Sequence, residues 1–265
     1  MSKRTSSRAF WYLLVAGCVA GVWYLLAYLL VASHDPLATS KLPYPHLIVE
    51  RAVDFWPTIA AATWATLSRA LLGLALGGSL GIVFAVLLAQ ARWIEVSVMP
   101  YILVAQMIPM LALVPILQAI TRRDDLTRLA IAALITFFSV ALATLRGLKT
   151  PHRLAWDLLG SYGAGRFKGL RYLQLPSSLP FLFSGLRIAA PLSLVGAVIV
   201  DLLGANTGLG YLMLSALTFG PEQATMLWVA MIVTLVLGLL LARAVTLVER
   251  VVSPWQLAFR SEADR

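Results

Sequence analysis

The sequence predicts an all-α protein that crosses a membrane several times, because its composition and its long apolar blocks both require it. Hydrophobic residues make up 60% of the 265 residues, charged residues only 12%, and the mean hydropathy is +0.85. Soluble domains average about 45–50% apolar and about 25% charged residues, so lipid must meet much of this surface. The apolar content excludes intrinsic disorder, and Cys18 as the single cysteine excludes a disulfide scaffold.

Six apolar blocks are each long enough to cross a bilayer as a helix. A hydrocarbon core of about 30 Å needs roughly 20 helical residues, and open strands cannot satisfy their backbone in lipid. The first block follows a basic N-terminal tail, as a signal peptide does, but it exceeds the roughly 7–15 residues of a signal-peptide core, so we expect a retained anchor. The predicted spans of this single transmembrane domain are residues 10–31, 65–89, 97–119, 128–146, 179–203 and 223–248.

Lysine and arginine are distributed unevenly between the connecting segments. With tail 1–9 inside, the inner segments hold fourteen of them and the outer segments five. Basic residues favour the cytoplasmic side, so tails 1–9 and 249–265 and loop 147–178 are predicted to be cytoplasmic. The net charge of +9 then indicates anionic lipid headgroups of the bilayer, and not nucleic acid, as the partner. The five outer residues are Lys41, Arg51, Arg122, Arg123 and Arg128.

The two external segments are expected to lie against the membrane helices. Segment 32–64 passes through the extended Leu42-Pro-Tyr-Pro45 before an amphipathic piece that ends near Trp56, which we expect along the outer interface. Segment 204–222 has no lysine or arginine, and its glycines and apolar residues favour folding back over the helices.

Loop 147–178 is the largest cytoplasmic connection. It predicts a short helix over 152–162, a Gly163-Ala-Gly165 turn and a second helix to about Leu173, which Pro176 ends. Its apolar side chains can project into a groove on another protein. A DNA-reading helix-turn-helix has a similar outline but would not be tethered to membrane helices at both ends. An interfacial loop without a partner remains the simpler alternative. The projecting residues are Leu158, Leu159, Tyr162, Phe167 and Leu170.

This loop resembles the cytoplasmic EAA motif of ABC importer permease subunits. Asp157 stands at the glutamate position, Leu158 and Leu159 at the two alanines, Gly163 at the glycine and Leu175-Pro176 at the closing Leu-Pro pair. The resemblance implies that this loop couples the permease to an ATPase. The implied coupling residues are Asp157, Leu158, Leu159, Tyr162, Gly163, Ala164, Phe167, Leu175 and Pro176.

Further short matches follow in the family's order over residues 40–250. Together they resemble the type I, binding-protein-dependent branch that imports nitrate, sulfonates, taurine, bicarbonate or pyrimidine-type vitamin precursors. The resemblance implies a bacterial inner-membrane subunit that works with a second permease copy or paralogue, two cytoplasmic ABC ATPases and an external substrate-binding protein. The matches are Leu42-Pro-Tyr-Pro45, Thr66-Leu-Ser-Arg69 with Gly73, Gln106-Met-Ile-Pro109 with Pro115, Gly185-Leu-Arg187, and Leu203-Gly-Ala-Asn206 with Gly208 and Tyr211.

The chain lacks a phosphate-binding loop of its own. The glycine-rich run Gly160–Gly165 is followed by Arg166-Phe167, which cannot supply the lysine and hydroxyl that phosphate and magnesium require. We therefore expect no catalytic, cofactor-binding or metal-binding residue here, with ATP and magnesium bound by partner ATPase subunits. The chain is predicted to be a transport subunit and not an enzyme.

Ionisable residues inside a bilayer are costly, so Asp201 is a candidate for the translocation path or an external gate. The plain alternative is a carboxylate near a helix end that bonds local amides. Prolines in the third and fifth spans favour these helices as path walls, because proline interrupts helical hydrogen bonding. The predicted path or gate residues are Met107, Pro109, Met110, Asp201 and Asn206.

The second span carries Gly73, Gly77 and Gly81 on one helix face, which predicts close helix packing within or between subunits. Arg69 and Arg187 are expected to snorkel or to pair across helices. An ion-coupled secondary transporter is the alternative function, and a channel or assembly scaffold comes third. A secondary transporter would typically show internal repeats and carboxylate relays, which this sequence does not display.

Overall fold

The fold is taken from a computed structural model that describes residues 2–33, 41–218 and 223–254, without the side chains of residues 2–10, 12, 13 and 16. Parts of the two predicted external segments and of the C-terminal tail lie outside this range. They are residues 34–40, 219–222 and 255–265. The described residues form helices joined by turns, with no strand. The helices are α1 Ser2–Ala32, α2 Pro45–Asp54, α3 Trp56–Gln90, α4 Arg92–Gln106, α5 Met110–Thr121, α6 Asp124–Leu148, α7 Arg153–Ser161, α8 Arg166–Leu202, α9 Leu209–Thr218 and α10 Ala224–Val252.

Four of these helices, α3, α6, α8 and α10, are long and apolar enough to cross a membrane, and the bent pair α4–α5 makes a fifth. The all-helical, multi-spanning prediction is confirmed. The count of six is not reproduced within the described residues, because the described apolar part of α1, Gly17–Ala32, is shorter than a crossing. Helix α3 also begins at Trp56, well before the predicted residue 65, since Pro57 fits the first turn of a helix.

The third predicted span, 97–119, is broken and not merely kinked. Helices α4 and α5 meet at an angle of 92°. Pro109 has extended backbone angles of φ −62° and ψ 116°, and its missing amide cannot continue the ladder of α4. Pro100 and Pro115, by contrast, lie inside α4 and α5 without ending them.

The predicted stop at Pro176 is wrong, because α8 runs through this proline. Residues Leu170–Gln174 form a π-helical turn immediately before it, and Pro176 then occupies the first turn of the α-helical part that follows. A π-helical turn shifts the hydrogen-bond register by one residue, so the amide that proline lacks is not needed there. Loop 147–178 and the fifth predicted span therefore share one continuous helix.

Helix α9 folds back over the bundle, as the sequence of the external segment predicts. Its residues Leu209, Leu212 and Met213 are buried in a cluster with Ile48 of α2 and Val229 of α10. This cluster holds α2 and α9 against α10.

Helices α3, α6 and α8 form the centre of the molecule. The glycine face of α3 lies against α6 of the same chain. A Cβ atom on Gly77 would lie 2.9 Å from Cα of Ala133, and one on Gly81 would lie 2.9 Å from the carbonyl oxygen of Phe137. Gly73 meets the same helix at Ala132 and Ala133. The absence of side chains at these positions sets the distance between α3 and α6.

Candidate functional site

The connection between α6 and α8 is built by a short capped helix and a glycine corner. The side chain of His152 accepts a hydrogen bond from the amide of Leu154 at 3.3 Å, which caps the start of α7. Gly163 turns the chain with a φ of +67°, a value that disfavours other residues. Trp156 lies against Gly169 at the start of α8, where a Cβ atom would come within 2.9 Å of the indole.

This connection presents an apolar surface that no described part of the chain covers. The exposed fractions are 60% for Leu158, 79% for Tyr162 and 73% for Phe167. Asp157 and Gly163 are exposed beside them, whereas Leu159 and Ala164 are half-buried. We call Leu158, Tyr162 and Phe167 the coupling surface. Leu175 and Pro176 lie further along α8, beyond the π-helical turn, and Leu170 packs inward against the cluster around Leu148.

At the other end of the molecule, Asp201 is held in a buried polar cluster. Its Oδ1 atom accepts a hydrogen bond from Nε of Arg128, and the two form an ion pair with side-chain exposures of 0% and 2%. Its Oδ2 atom accepts a hydrogen bond from the hydroxyl of Thr66 at 2.6 Å. The same hydroxyl accepts from the amide of Leu209 at 2.9 Å. Three spans and the start of α9 are thereby joined through one carboxylate.

The turn between α8 and α9 wraps over this carboxylate. Arg128 donates to the carbonyl oxygen of Thr207 at 2.5 Å. Gly208 has a φ of +110°, and a Cβ atom there would lie 2.7 Å from Asp201 Oδ1. Only glycine allows the turn to lie this close to the carboxylate. Asp125 accepts a hydrogen bond from Arg128 at 3.2 Å and forms an ion pair with Arg69, also at 3.2 Å, so two arginines and two aspartates balance one another.

The sequence predicts neither the burial of Arg128 nor the role of Thr66 in this cluster. It places Arg128 in an external connection, whereas the side chain is buried in the first turns of α6. The only local indication that Arg128 lies within α6 is Asp125, three residues earlier, with which it pairs. Arg69 pairs with Asp125, and Arg187 pairs with Glu249 of α10, which agrees with the expected pairing across helices.

The five predicted path or gate residues fall into two groups. Met107 and Pro109 are exposed and Met110 is half-buried at the bend between α4 and α5. Asn206 is exposed in the turn between α8 and α9, whereas the Asp201 carboxylate is buried inside the subunit and does not reach its surface. No hydrogen bond or ion pair joins the two groups within the described part of the chain. Nor do the described residues contain a cluster of three metal-ligating side chains.

Comparisons with known proteins agree on one family. A family model described as "Binding-protein-dependent transport system inner membrane component" matches residues 77–254. The chain is 34% identical to the formylaminopyrimidine transport permease protein ThiX of Halalkalibacterium halodurans, over 81% of this chain and 86% of that protein. It is 29% identical to the putative aliphatic sulfonates transport permease protein SsuC of Escherichia coli, over 94% and 95% of the two chains.

Two further similarities extend this result. The riboflavin transport system permease protein RibX of Chloroflexus aurantiacus is 30% identical, over 81% of this chain and 80% of that protein. A crystal structure of an amino acid ABC transporter superposes with a TM-score of 0.62 and 17% identity, covering 76% of this chain and 96% of that one. At this identity the superposition shows a shared fold.

Proposed function

The chain belongs to the family of binding-protein-dependent transport system inner membrane components, and from this membership we propose that its coupling surface docks on a separate cytoplasmic ATPase. The chain is a multi-pass permease component of an ATP-driven importer, and not itself an enzyme. Two ATPase subunits, a second copy or paralogue of the permease and an external binding protein complete the proposed assembly.

The exposed coupling surface is the observation that carries the proposal. Leu158, Tyr162 and Phe167 are all strongly exposed, in and directly after the short connection between α6 and α8. Exposing large apolar side chains to water at such a place is unfavourable. Burying them against another protein lowers the free energy. The neighbouring Asp157 adds a charge that can pair with a basic residue of the partner.

The orientation follows from the distribution of basic residues. Both termini and the α7 connection face the cytoplasm, and α2 and α9 face outward. ATP and magnesium bind to the partner ATPases. Closure of those subunits moves α7, and α8 carries this movement into the membrane because the two are joined through the Gly163 corner.

We place the translocation path between two permease subunits, with Met107, Pro109 and Met110 at the bend of the third span and Asn206 at the outer end. Asp201 acts on the outer gate as a positioning residue, because it holds the turn that carries Asn206. The solute is a small organic molecule of the range carried by the relatives, such as a sulfonate or a pyrimidine or flavin precursor. An ion-coupled mechanism is disfavoured because the charge of Asp201 is already balanced by Arg128.

Two neighbouring glycines provide the test. Gly163→Val forces a β-branched residue to a φ of +67°, whereas Gly165→Val occupies open space at an ordinary φ of −73°. In the assembled transporter, Gly163→Val should reduce solute uptake and its coupling to ATP hydrolysis at least tenfold, and Gly165→Val should leave both near wild type. If ATPase subunits still copurify and uptake persists after residues 157–170 are scrambled, the proposal is wrong.

A further inference from the structure

A groove of about 610 Å³ opens where the start of α4 meets the end of α6. Its wall is formed by Val96, Met99, Pro100 and Leu103, which recur at helical spacing along one face of α4. Arg92 and Lys149 line the same groove at its polar end. The groove is therefore amphiphilic, with charge at one end and an apolar wall extending from it.

The dimensions match a lipid that lies along the helix. From Arg92 to Leu103 the helix rises by roughly 16 Å, about the depth of one leaflet of a bilayer core of about 30 Å. Trp93 is exposed beside Arg92, and tryptophan is enriched at the level of the lipid headgroups. The polar end thus lies at the membrane surface, and the apolar wall extends towards its centre.

The charges at the polar end favour an anion. Lys149 pairs with Glu95, which fixes the end of α6 against α4. An ammonium group has three donors, so Lys149 retains donors for a further ligand. Arg92 is exposed and has no ion-pair partner among the described residues. With Glu95 balancing one of the two cations, the groove carries one positive charge.

We propose that this groove binds an anionic phospholipid, with its phosphate at Arg92 and Lys149 and one acyl chain along Val96, Met99, Pro100 and Leu103. The lipid belongs to the cytoplasmic leaflet, a placement that rests on the orientation in the proposed function. A bound lipid covers the apolar wall of α4 just below the bend at Pro109.

The test measures phosphatidylglycerol retained by the purified full-length permease after exchange into detergent with phosphatidylcholine in excess, by native mass spectrometry. Arg92→Gln should lower retention about fivefold, since each basic residue near an anionic surface contributes about that factor. Arg92→Lys should restore most of it. Val96→Trp adds bulk at an exposed wall position without changing charge, and should lower retention by displacing the acyl chain.

Arg250→Gln is the matched control, because it removes one exposed positive charge from the end of α10 at the same predicted membrane face. Retention should remain near wild type in this variant. The proposal is overturned if Arg250→Gln loses as much lipid as Arg92→Gln, or if Arg92→Gln and Val96→Trp both retain as much as wild type. Lipid retention does not depend on transport or on an ATPase, so this result stands apart from the test of the coupling surface.

Discussion

The carboxylate of Asp201 and the guanidinium group of Arg128 form an ion pair inside the helix bundle, although 73 residues separate them in the chain. Both side chains are almost fully removed from solvent, and each has further hydrogen bonds, to Thr66 and to Thr207. A buried pair of this kind contributes little as a pair, but leaves a costly uncompensated charge when one partner is lost.

Removing both charges together should therefore destabilise the protein by less than the sum of the two single removals. We expect Asp201→Asn and Arg128→Gln each to lower the free energy of unfolding by about 3–5 kcal/mol, and the double variant to lose less than the sum. Titration of the purified protein with a denaturing detergent would measure this. Asp125→Asn is the control, because its side chain is 43% exposed and its loss should stay below about 1 kcal/mol. Equal losses in Asp201→Asn and Asp125→Asn would contradict the buried ion pair.

Two adjacent glycines of α3 should respond differently to the same substitution. A Cβ atom on Gly77 would overlap the backbone of Ala133 in α6, whereas one on Gly78 would lie 3.6 Å from Leu186 in ordinary contact. Gly77→Ala should cost about 1–3 kcal/mol because the helices must separate, and Gly78→Ala should be close to neutral. Thermal unfolding in detergent would compare them. If Gly77→Ala is as stable as Gly78→Ala, α3 and α6 are not packed at this distance.

Single cysteines should label from opposite sides of the membrane. In a Cys18→Ser background, Asp54→Cys at the end of α2 and Ser161→Cys at the end of α7 are both exposed positions. With the permease expressed without ATPases, an impermeant thiol reagent added to intact cells should label the first and not the second. Permeabilised cells should label both. Labelling of Ser161→Cys alone in intact cells would reverse the proposed orientation.

The helical architecture could be predicted from the sequence because apolar length and backbone hydrogen bonding in lipid leave few alternatives. The folding back of α9 was also predictable, since residues 204–218 lack the basic charges that would keep them in water. The exposure of Leu158, Tyr162 and Phe167 was predictable because these residues are local in sequence, whereas the expected projection of Leu170 is wrong because it packs inward. Tyr162 and Phe167 sit either side of the Gly163 turn, which places them on one exposed corner.

The remaining features depend on contacts between distant parts of the chain. In the sequence, Arg128 looks like one more basic residue of a predicted external connection, because its ion-pair partner Asp201 lies on another helix. Pro109 indicates a break in the third span but not its angle of 92°, and α5 packs against α6 and α8, which lie far from it in the sequence. Helix α8 continues through Pro176 because a π-helical turn precedes the proline. No single residue in the sequence predicts such a turn.

The continuity of α8 also has a mechanical consequence. Its 37 residues span about 55 Å at the α-helical rise, from Arg166 just after the Gly163 corner to Leu202 beside the Asp201 carboxylate. A tilt of roughly 5° about the outer end would displace the inner end by about 5 Å at that length. In such a tilt helix α8 acts as a lever whose short arm is the Asp201 cluster, so a large displacement at the Gly163 corner becomes a small shift at the turn between α8 and α9.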